Sequence, residues 1–312
     1  KRQRLYRKRD GQLRAGEWYY GPQRWLQSNF QINKIGNGTV YDEAKFTAAY
    51  QLFEEGRNDR DFGKETLYET DEHVDAWSAN LDFEKEFFGS KLYFGLEYVL
   101  NEVNSEGKET NIVTGSSRPG SSRYPDDSRW QSMAAYGSFF WKLSPDLSIT
   151  TGARYNHVLL HATFDEEQYD FPFSDADINT GALTGSAGLN WQQNEILGWQ
   201  INLSTAFRAP NIDDVGKIFD SAPGMVVVPN PQLKPETAYN AEIVSRIDLD
   251  KVVQLELAGY YTYLDDAMVR RDYNLDGQTT IEYQGEPSRV QAIQNAAFAR
   301  VYGIEALSLI HI

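Results

Sequence analysis

Apolar and polar residues alternate along residues 197–209, and this alternation constrains the fold more than any other feature of the sequence. The apolar set includes Trp199, Leu203 and Phe207, and the intervening residues are small or polar. A period of two residues is typical of a β-strand with one apolar and one hydrated face. The same alternation recurs in segments 44–52, 77–84, 91–100, 133–143, 147–156, 239–249 and 253–263. These segments belong to strands of roughly 12–20 residues, far longer than the mean strand of soluble proteins.

Tight turns separate these segments at nearly even intervals. They are centred on Asn37, Gly89, Pro145, Asn194 and Leu249. Between successive turns lie longer polar connections, which we predict at residues 55–70, 101–129, 165–181, 210–236 and 274–288. Short and long connections in alternation are typical of an up-and-down barrel with two unequal ends, as in outer-membrane barrels.

The apolar faces of the predicted strands avoid charged residues, as contact with lipid requires. A Lys or Arg that faces lipid at the bilayer midplane costs about 2–4 kcal/mol. Most tryptophans fall near strand ends, where an interfacial aromatic girdle would lie; they are Trp25, Trp77, Trp130, Trp141, Trp191 and Trp199. The alternative is a soluble surface β protein, such as a glycan binder or adhesin, with a large aromatic core.

We therefore predict an all-β fold, a transmembrane antiparallel up-and-down β-barrel. The chain supplies about twelve of its strands, the first of them partial and the last at residues 290–308. Both edges of such an open barrel would expose unpaired backbone to lipid, which indicates a partial barrel.

The charge balance and the absence of cysteine exclude several functional classes. A net charge of −15 argues against a nucleic-acid partner, although residues 1–9 carry six Lys or Arg residues and form a candidate basic arm. Without cysteine there is no disulfide framework and no cysteine-ligated metal site. No nucleophile-elbow, zinc-protease or phosphate-loop motif is present. We expect neither an enzyme nor a cofactor.

Three motifs carry a resemblance to a known family. The first ends a strand with Phe207, Arg208, Ala209 and Pro210. The second is formed by Asn230, Pro231, Gln232, Leu233, Lys234, Pro235 and Glu236, and the third includes Tyr302, Gly303 and Glu305. In this order and spacing they resemble the TonB-dependent outer-membrane receptors, strongly over residues 204–305 and more loosely over residues 16–104.

The resemblance implies a barrel of about 22 strands that is closed inside by an N-terminal plug domain. Such receptors capture a scarce ligand, usually a ferric siderophore, haem or cobalamin, at the outer membrane of a Gram-negative bacterium. The TonB energy-transducing complex then pulls on the plug. Residues 1–306 are thus expected to be a partial barrel domain without its plug, and residues 307–312, where the alternation is lost, a doubtful truncated end. The expected partners are the lipid bilayer, the TonB complex and a small-molecule metal chelate.

Four residues are candidates for contact with the ligand. Arg208 is predicted to be an inward charge near the mouth, which either contacts an anionic ligand or pairs with a neighbouring carboxylate. Arg154, His157 and His161 belong to one rising strand, and the two histidines lie near its top. Similar haem receptors carry an iron-ligating histidine between the two central motifs, and this chain has none there. A ferric siderophore is therefore the leading ligand, with cobalamin or haem uptake, or a passive porin, as the alternatives.

Two acidic segments are candidates for calcium, which orders the loops of cobalamin receptors in this family. Asp272, Asn274 and Asp276 match the start of an EF-hand loop, but Tyr283 stands where a bidentate Glu is needed. Asp276 and the glycine that follows it also fit a simple hairpin turn. The second segment, residues 165–177, carries six carboxylates and is equally consistent with a solvated loop.

Overall fold

The computed structural model describes residues 13, 15–36, 38–164, 171–217, 219–222, 224–249, 252–283 and 286–310. Within them one short helix, α1 (Ile212–Gly216), accompanies fifteen strands of a single sheet. Eleven strands of this part are long: β1 (Ala15–Ile35), β2 (Glu43–Asp61), β3 (Thr66–Phe87), β4 (Ser90–Asn111), β6 (Ser128–Ser144), β7 (Leu147–Thr163), β8 (Asp175–Gln192), β9 (Leu197–Arg208), β12 (Glu236–Leu249), β13 (Val253–Asp272) and β15 (Glu286–Ile310). The short ones are β5 (Ser117–Gly120), β10 (Phe219–Ala222), β11 (Met225–Val227) and β14 (Thr280–Tyr283).

The long strands follow one another in chain order, each antiparallel to the next, as in an up-and-down barrel. Beyond β15 the order continues with β11 and β10, and β11 runs parallel to β15. Strand β1 lies at the other edge and pairs only with β2 among the described residues. The sheet is therefore the wall of a partial barrel, which confirms the predicted fold class. Eleven long strands are described where about twelve are predicted, and the candidate basic arm, residues 1–9, lies outside the described residues.

Four of the five predicted tight turns have a described centre and join consecutive long strands, and Asn37, the centre of the fifth, lies outside the described residues. Phe88 and Gly89 connect β3 to β4 with φ of 47° and 78°. Positive φ at both central residues is the two-residue turn that suits the right-handed twist of a hairpin. Pro145 with Asp146, and residues 193–196, connect later pairs of strands, and β12 ends at Leu249, the centre of the last predicted turn. These short connections all lie at one end of the wall.

The prediction of long polar loops at the other end is wrong in part, because much of this polar sequence forms strand. Strand β2 continues to Asp61 and β3 begins at Thr66, so residues 55–70 are mostly a strand hairpin. Strand β4 likewise continues to Asn111. Beyond the membrane both faces of a strand can be polar, so the alternation disappears while the backbone pairing continues. Residues 101–129 and 274–288 contain the added strands β5 and β14.

One face of the wall carries a continuous band of exposed apolar side chains. Register partners on neighbouring strands share a face, and one row across this face runs through Ile32, Phe46, Leu81, Leu96, Ala135, Tyr155 and Leu183. Leu183 is 74% exposed. A row of this length in contact with water would be unfavourable, whereas contact with lipid hydrocarbon satisfies it. We call this face the outer face.

Aromatic residues border the apolar band on the outer face. Trp141, Trp191 and Trp199 lie next to the tight turns, and Tyr50, Trp77, Tyr98, Tyr155 and Tyr239 lie further toward the opposite end, the mouth. The assignment of Trp25 and Trp130 to this girdle is wrong. Trp25 pairs in register with Phe53 and Trp130 with Asn101, and both belong to the inner face. Position near a strand end does not distinguish the two faces, whereas register does.

The inner face is polar along the membrane-crossing part and apolar only near the mouth. Within the bilayer region Arg154 pairs with Glu97 and lies over the Tyr136 ring at 5.3 Å. Near the mouth, α1 and the residues after it pack onto the wall. The packed set, which we call the mouth cluster, is Val103, Leu160, Ala162, Phe164, Ala176, Ile178, Ile212, Val215 and Leu233.

Residues 307–310 continue β15 and pair with residues 253–256 of β13. Among the residues that the structure describes, no helix has the length and apolar character to cross a membrane.

Candidate functional site

The two central motifs meet in space, although a long segment separates them in sequence. Strand β9 ends at Arg208, β12 begins at Glu236, and these two residues are register partners. Phe207 and Thr237 form the next pair. The intervening segment, residues 209–235, therefore leaves the wall and returns to it at the same place. We call it the mouth segment.

The mouth segment begins with α1, and its sequence explains where that helix starts. Asn211 is the N-cap residue, and its side chain accepts a hydrogen bond from the Asp214 backbone N–H at 2.9 Å. The Asp214 carboxylate in turn accepts from the Asn211 N–H at 3.1 Å. Such a capping box satisfies two N–H groups that a helix start otherwise leaves unpaired. Lys217 ends the helix in an extended conformation.

Arg208 joins the wall to this helix. Its Nη2 donates to both carboxylate oxygens of Asp214 at 2.7 and 2.6 Å, and its Nη1 lies 3.5 Å from Glu236. The Arg208 side chain is 47% exposed, while the two carboxylates are only 12% and 14% exposed. Of the two roles that the sequence allowed for Arg208, the structure shows the pairing with neighbouring carboxylates. Asp214 is the partner that sequence reasoning missed, although its place three residues after Asn211 was the signal of a capping box.

The second motif pins the end of the mouth segment to β15. Asn230 Nδ2 donates to the Ile293 carbonyl at 2.7 Å, and the Asn230 N–H donates to the Val215 carbonyl at 3.1 Å. Asn295 accepts from the Lys234 N–H and donates to the Lys234 carbonyl, both at 2.8 Å. Leu233 is buried in the mouth cluster. Glu236 also accepts from the Met268 N–H at 2.9 Å, beside the irregular register of β13.

The third motif lies on β15 within the wall. Tyr302 is exposed on the outer face and stacks on Tyr261 with ring centroids 6.4 Å apart. Gly303 faces Tyr260, and a Cβ at this position would lie 2.6 Å from the Tyr260 hydroxyl. Glycine leaves room here for the Tyr260 ring, which lies across the backbone of β15. Glu305 pairs in register with Ala258. These three residues therefore shape the wall and lie apart from the mouth segment.

A cavity of about 440 Å³ lies on the inner face beside α1. Its apolar lining includes Phe53, Val103, Trp130 and Ile212, and its charged lining is Glu55, Arg57, Glu72, Arg123 and Asp213. Glu55 and Glu72 are register partners on β2 and β3. Volume, aromatic lining and a few polar groups are typical of small-molecule sites. Sequence reasoning did not find this cavity, because its residues come from six separate segments.

The charged residues of the cavity differ in how many hydrogen-bond and ion-pair partners they have. Arg57 donates to Glu55, Gln23 donates to Glu55 at 2.8 Å, and Arg123 lies 3.9 Å from it. Glu72 is 6% exposed, and neither of its carboxyl oxygens has a hydrogen-bond partner among the described residues. Burial raises the pKa of Glu72, against the opposing effects of Thr70 and Arg57.

Tyr124 and Asp213 connect the cavity to α1. The Tyr124 hydroxyl donates to Asp213 at 2.9 Å, and Lys217 Nζ lies 2.8 Å from the same carboxylate. Burial, followed by the neighbouring Asp213 carboxylate, raises the pKa of the Tyr124 hydroxyl well above its usual value. The phenol therefore stays protonated and keeps its hydrogen bond at any physiological pH.

The structure separates the remaining ligand candidates. Arg154 faces inward and is paired with Glu97, whereas His157 and His161 lie on the outer face of the same strand. His161 Nδ1 is 2.7 Å from Asp177, and the His157 ring stacks on Tyr155. The sequence already indicated that both histidines face outward, because each lies an even number of positions from Tyr155 on the same strand. They are not neighbours of Arg208 or of the cavity.

Residues Asp272, Asn274 and Asp276 form a tight turn and do not surround a common centre. Asp272 pairs with Arg289, and Asn274 Oδ1 accepts from the Gly277 N–H at 2.5 Å. Asp276 and Gly277 both have positive φ, and Leu275 bridges to Gln278. No group of three or more His, Asp or Glu residues in the described ranges could hold a metal ion. The segment is therefore the simple hairpin turn, and not a calcium-binding loop, because local hydrogen bonds close the turn. In the other acidic segment Asp165, Glu166, Glu167 and Asp170 lie outside the described residues.

Comparison with known proteins identifies the family. The profile described as "TonB dependent receptor-like, beta-barrel" matches residues 2–309. No curated protein sequence matches the chain.

Solved structures share the fold at low sequence identity. "Copper transporter OprC" superposes with a TM-score of 0.74 at 13% identity, covering 95% of this chain and 45% of that one. The Serratia marcescens hemophore receptor HasR, in complex with its hemophore HasA and heme, gives 0.66 at 14% identity, covering 92% and 46%. The ferric yersiniabactin uptake receptor FyuA from Yersinia pestis gives 0.61 at 15% identity, covering 94% and 40%. The chain thus spans less than half the length of these receptors.

Members of the matched family are outer-membrane β-barrel receptors of Gram-negative bacteria, and not enzymes. The profile covers nearly the whole chain, and the fold agrees with that of the solved receptors. This chain belongs to the TonB-dependent receptor family, and it forms part of a β-barrel domain of that family.

Proposed function

We propose that this chain is part of an outer-membrane receptor that imports a scarce small-molecule metal chelate, with a ferric siderophore as the first candidate. The TonB complex would drive release of the ligand by acting on a plug domain inside the barrel. The protein would lie in the outer membrane of a Gram-negative bacterium, with its apolar band in contact with lipid.

The observation that carries this proposal is the mouth segment, residues 209–235. It is tied to the wall by ion pairs at Arg208 and by hydrogen bonds at Asn230 and Asn295. It covers part of the inner face and lines a cavity of ligand size. A passive pore gains nothing from a segment fixed over its inner wall, whereas a receptor needs fixed contacts on which to hold a ligand.

The position of the histidines favours a chelate other than haem. His157 and His161 lie on the outer face, and His73 belongs to the outer face of β3, where it pairs with Asp75 at 2.9 Å. Each histidine of the described part thus points toward the surroundings of the barrel. A haem iron inside the mouth would need an axial ligand from another residue.

An uptake experiment with the intact receptor in its own outer membrane tests the proposal. Labelled ferric siderophore, cobalamin and haem are offered to cells with and without a protonophore. We expect uptake of the siderophore that collapses with the proton gradient, while cells lacking the receptor show none. Uptake that ignores the gradient would identify a passive pore, and uptake of cobalamin or haem alone would replace the cargo.

A further inference from the structure

We propose that the cavity beside α1 binds a protonated amine, whose ammonium group is received by the Glu72 carboxylate among aromatic side chains. This inference rests on the proposed function, since the amine would be part of the imported ligand. It assigns to the mouth of this receptor a chemical group that the family membership alone does not specify.

The first reason is the state of Glu72. Its side chain is almost completely buried, and both carboxyl oxygens have no hydrogen-bond partner in the described part of the chain. Burying a polar group without a partner is unfavourable, and more so when the group is charged. The cavity that Glu72 lines offers space for the missing donor.

The second reason is that the nearby cations already have other partners. Arg57 donates to Glu55, and its Nε forms only a long ion pair with Glu72, at 4.0 Å and beyond hydrogen-bond distance. Arg123 is directed to Glu55 and lies over the Tyr124 ring at 5.2 Å. Asp213, the third carboxylate of the lining, has both Tyr124 and Lys217. Glu72 is therefore the carboxyl of this lining that has room for an external cation.

The third reason is the aromatic composition of the walls. Phe53, Tyr124 and Trp130 line the same cavity as Glu72. Aromatic faces attract a desolvated cation, and a neutral hydroxyl would not gain this stabilisation. The Trp130 Nε1–H is also buried without a partner among the described residues. A hydrogen-bond acceptor close to the ammonium group, such as a hydroxyl or carbonyl oxygen, would satisfy it.

The geometry also describes how the amine would reach its partner. The carboxyl oxygens of Glu72 are buried in the structure, so we expect the carboxyl group to turn toward the cavity when the ligand enters. Asn211, Ile212 and Asp213 at the start of α1 line the same cavity. Binding would thus connect the ligand to the mouth segment as well as to the wall.

The test measures binding of two matched probes to the intact receptor in lipid nanodiscs by isothermal titration calorimetry. The probes are 2-phenylethylammonium and its neutral analogue 2-phenylethanol, and empty nanodiscs provide the background. We expect saturable binding of the ammonium probe. Glu72→Gln should weaken it by roughly tenfold or more, the loss expected for a hydrogen bond to a charged group, with the neutral probe unaffected. Glu102→Gln, on the outer face of β4 and paired with Arg129, should change neither affinity.

A second variant keeps the test decisive if Glu72→Gln does not fold. Glu72→Asp retains the charge on a shorter side chain. It should lower the affinity for the ammonium probe by less than the roughly tenfold expected for the Gln variant, and it should leave the affinity for 2-phenylethanol unchanged. Equal affinity of the wild-type receptor and Glu72→Gln for the ammonium probe, or the absence of saturable binding to the wild type, would overturn the inference. If the receptor imports a chelate with the proton gradient but does not bind the ammonium probe, the amine site is wrong and the proposed function stands. If it binds the probe but shows no gradient-dependent uptake, the proposed function is wrong and the amine site stands.

Discussion

Arg208 shows how a family motif can serve structure at a position where a ligand contact was expected. The residue ends β9, yet its guanidinium contacts the capping carboxylate of α1 and the first residue of β12. Charge-assisted hydrogen bonds from Arg to a carboxylate add geometric definition to the attraction of the charges. The motif therefore sets the direction in which the mouth segment leaves the wall.

Replacing Arg208 by Ala should loosen the mouth segment. Asp214 and Glu236 are nearly buried and would lose their cation, which costs about 1–3 kcal/mol when partners are left unsatisfied. We expect faster proteolytic cleavage within residues 209–235 and a lower unfolding temperature in detergent. Arg246→Ala removes an exposed pair with Glu256 near the opposite end and is the matched control, expected to change little. Equal cleavage rates in the two variants would contradict this role of Arg208.

Glu72 should make the stability of the mouth depend on pH. Burial raises its pKa in the folded state above the ordinary value, so protonation favours the folded form. The stabilisation is complete below the unfolded pKa and is lost as pH rises through the folded pKa. Glu72→Gln should therefore raise the unfolding temperature relative to wild type at pH 8 and lose that advantage near pH 4. A difference that is the same at both pH values would rule out titration of Glu72 as its cause.

At the scale of elements, one asparagine of β15 links the end of the mouth segment to the wall. Asn295 donates to the carbonyl groups of Lys234 and Asp266 and accepts from the Lys234 N–H, all at 2.8 Å. It thereby connects the end of the mouth segment to both β13 and β15.

Asn295→Ala should release the end of the mouth segment while the wall remains intact. Each lost hydrogen bond contributes about 0.5–1.5 kcal/mol, so local opening near Lys234 should become at least several-fold more frequent. Hydrogen exchange measured by mass spectrometry over residues 229–236 would report it. Asn179→Ala, at an exposed position on β8, is the control and should leave this exchange unchanged. If hydrogen exchange is unchanged in Asn295→Ala, the contacts of Arg208 and Glu236 are sufficient to hold the end of the mouth segment against the wall.

At the scale of the whole molecule, the two faces of the sheet define the environment of the protein. The outer face carries the apolar row that ends at Leu183, and the inner face carries the ion pair of Arg154 with Glu97. Ser186 lies on β8 close to Leu183 but on the inner face. A charge should therefore be tolerated on one face and excluded from the other.

Leu183→Arg should reduce the amount of receptor that folds into the outer membrane. An arginine facing lipid near the midplane costs about 2–4 kcal/mol. Ser186→Arg places the same charge on the inner face and should insert at nearly the wild-type level. Both variants can be compared by the amount of folded, protease-resistant protein in outer-membrane fractions. Similar levels for the two variants would contradict the assignment of the faces.

The sequence by itself determined the strands, the tight turns and the family. A period of two residues encodes both a strand and its two faces, so this information is local. The same phase that places Tyr155 outside also places His157 and His161 outside. The motifs around Arg208 and Asn230 were equally visible, because each is a short contiguous run.

Only the tertiary structure decided the register, the extension of the strands beyond the membrane and the partners of the motif residues. Polar strands outside the bilayer have no alternation to reveal them, and only their paired backbone groups define them. The contacts of Arg208 with Asp214, and of Asn230 with Ile293, depend on the return of the mouth segment to the wall. The unsatisfied Glu72 appears only when six separate segments enclose it, because a residue's environment is set by its neighbours in space.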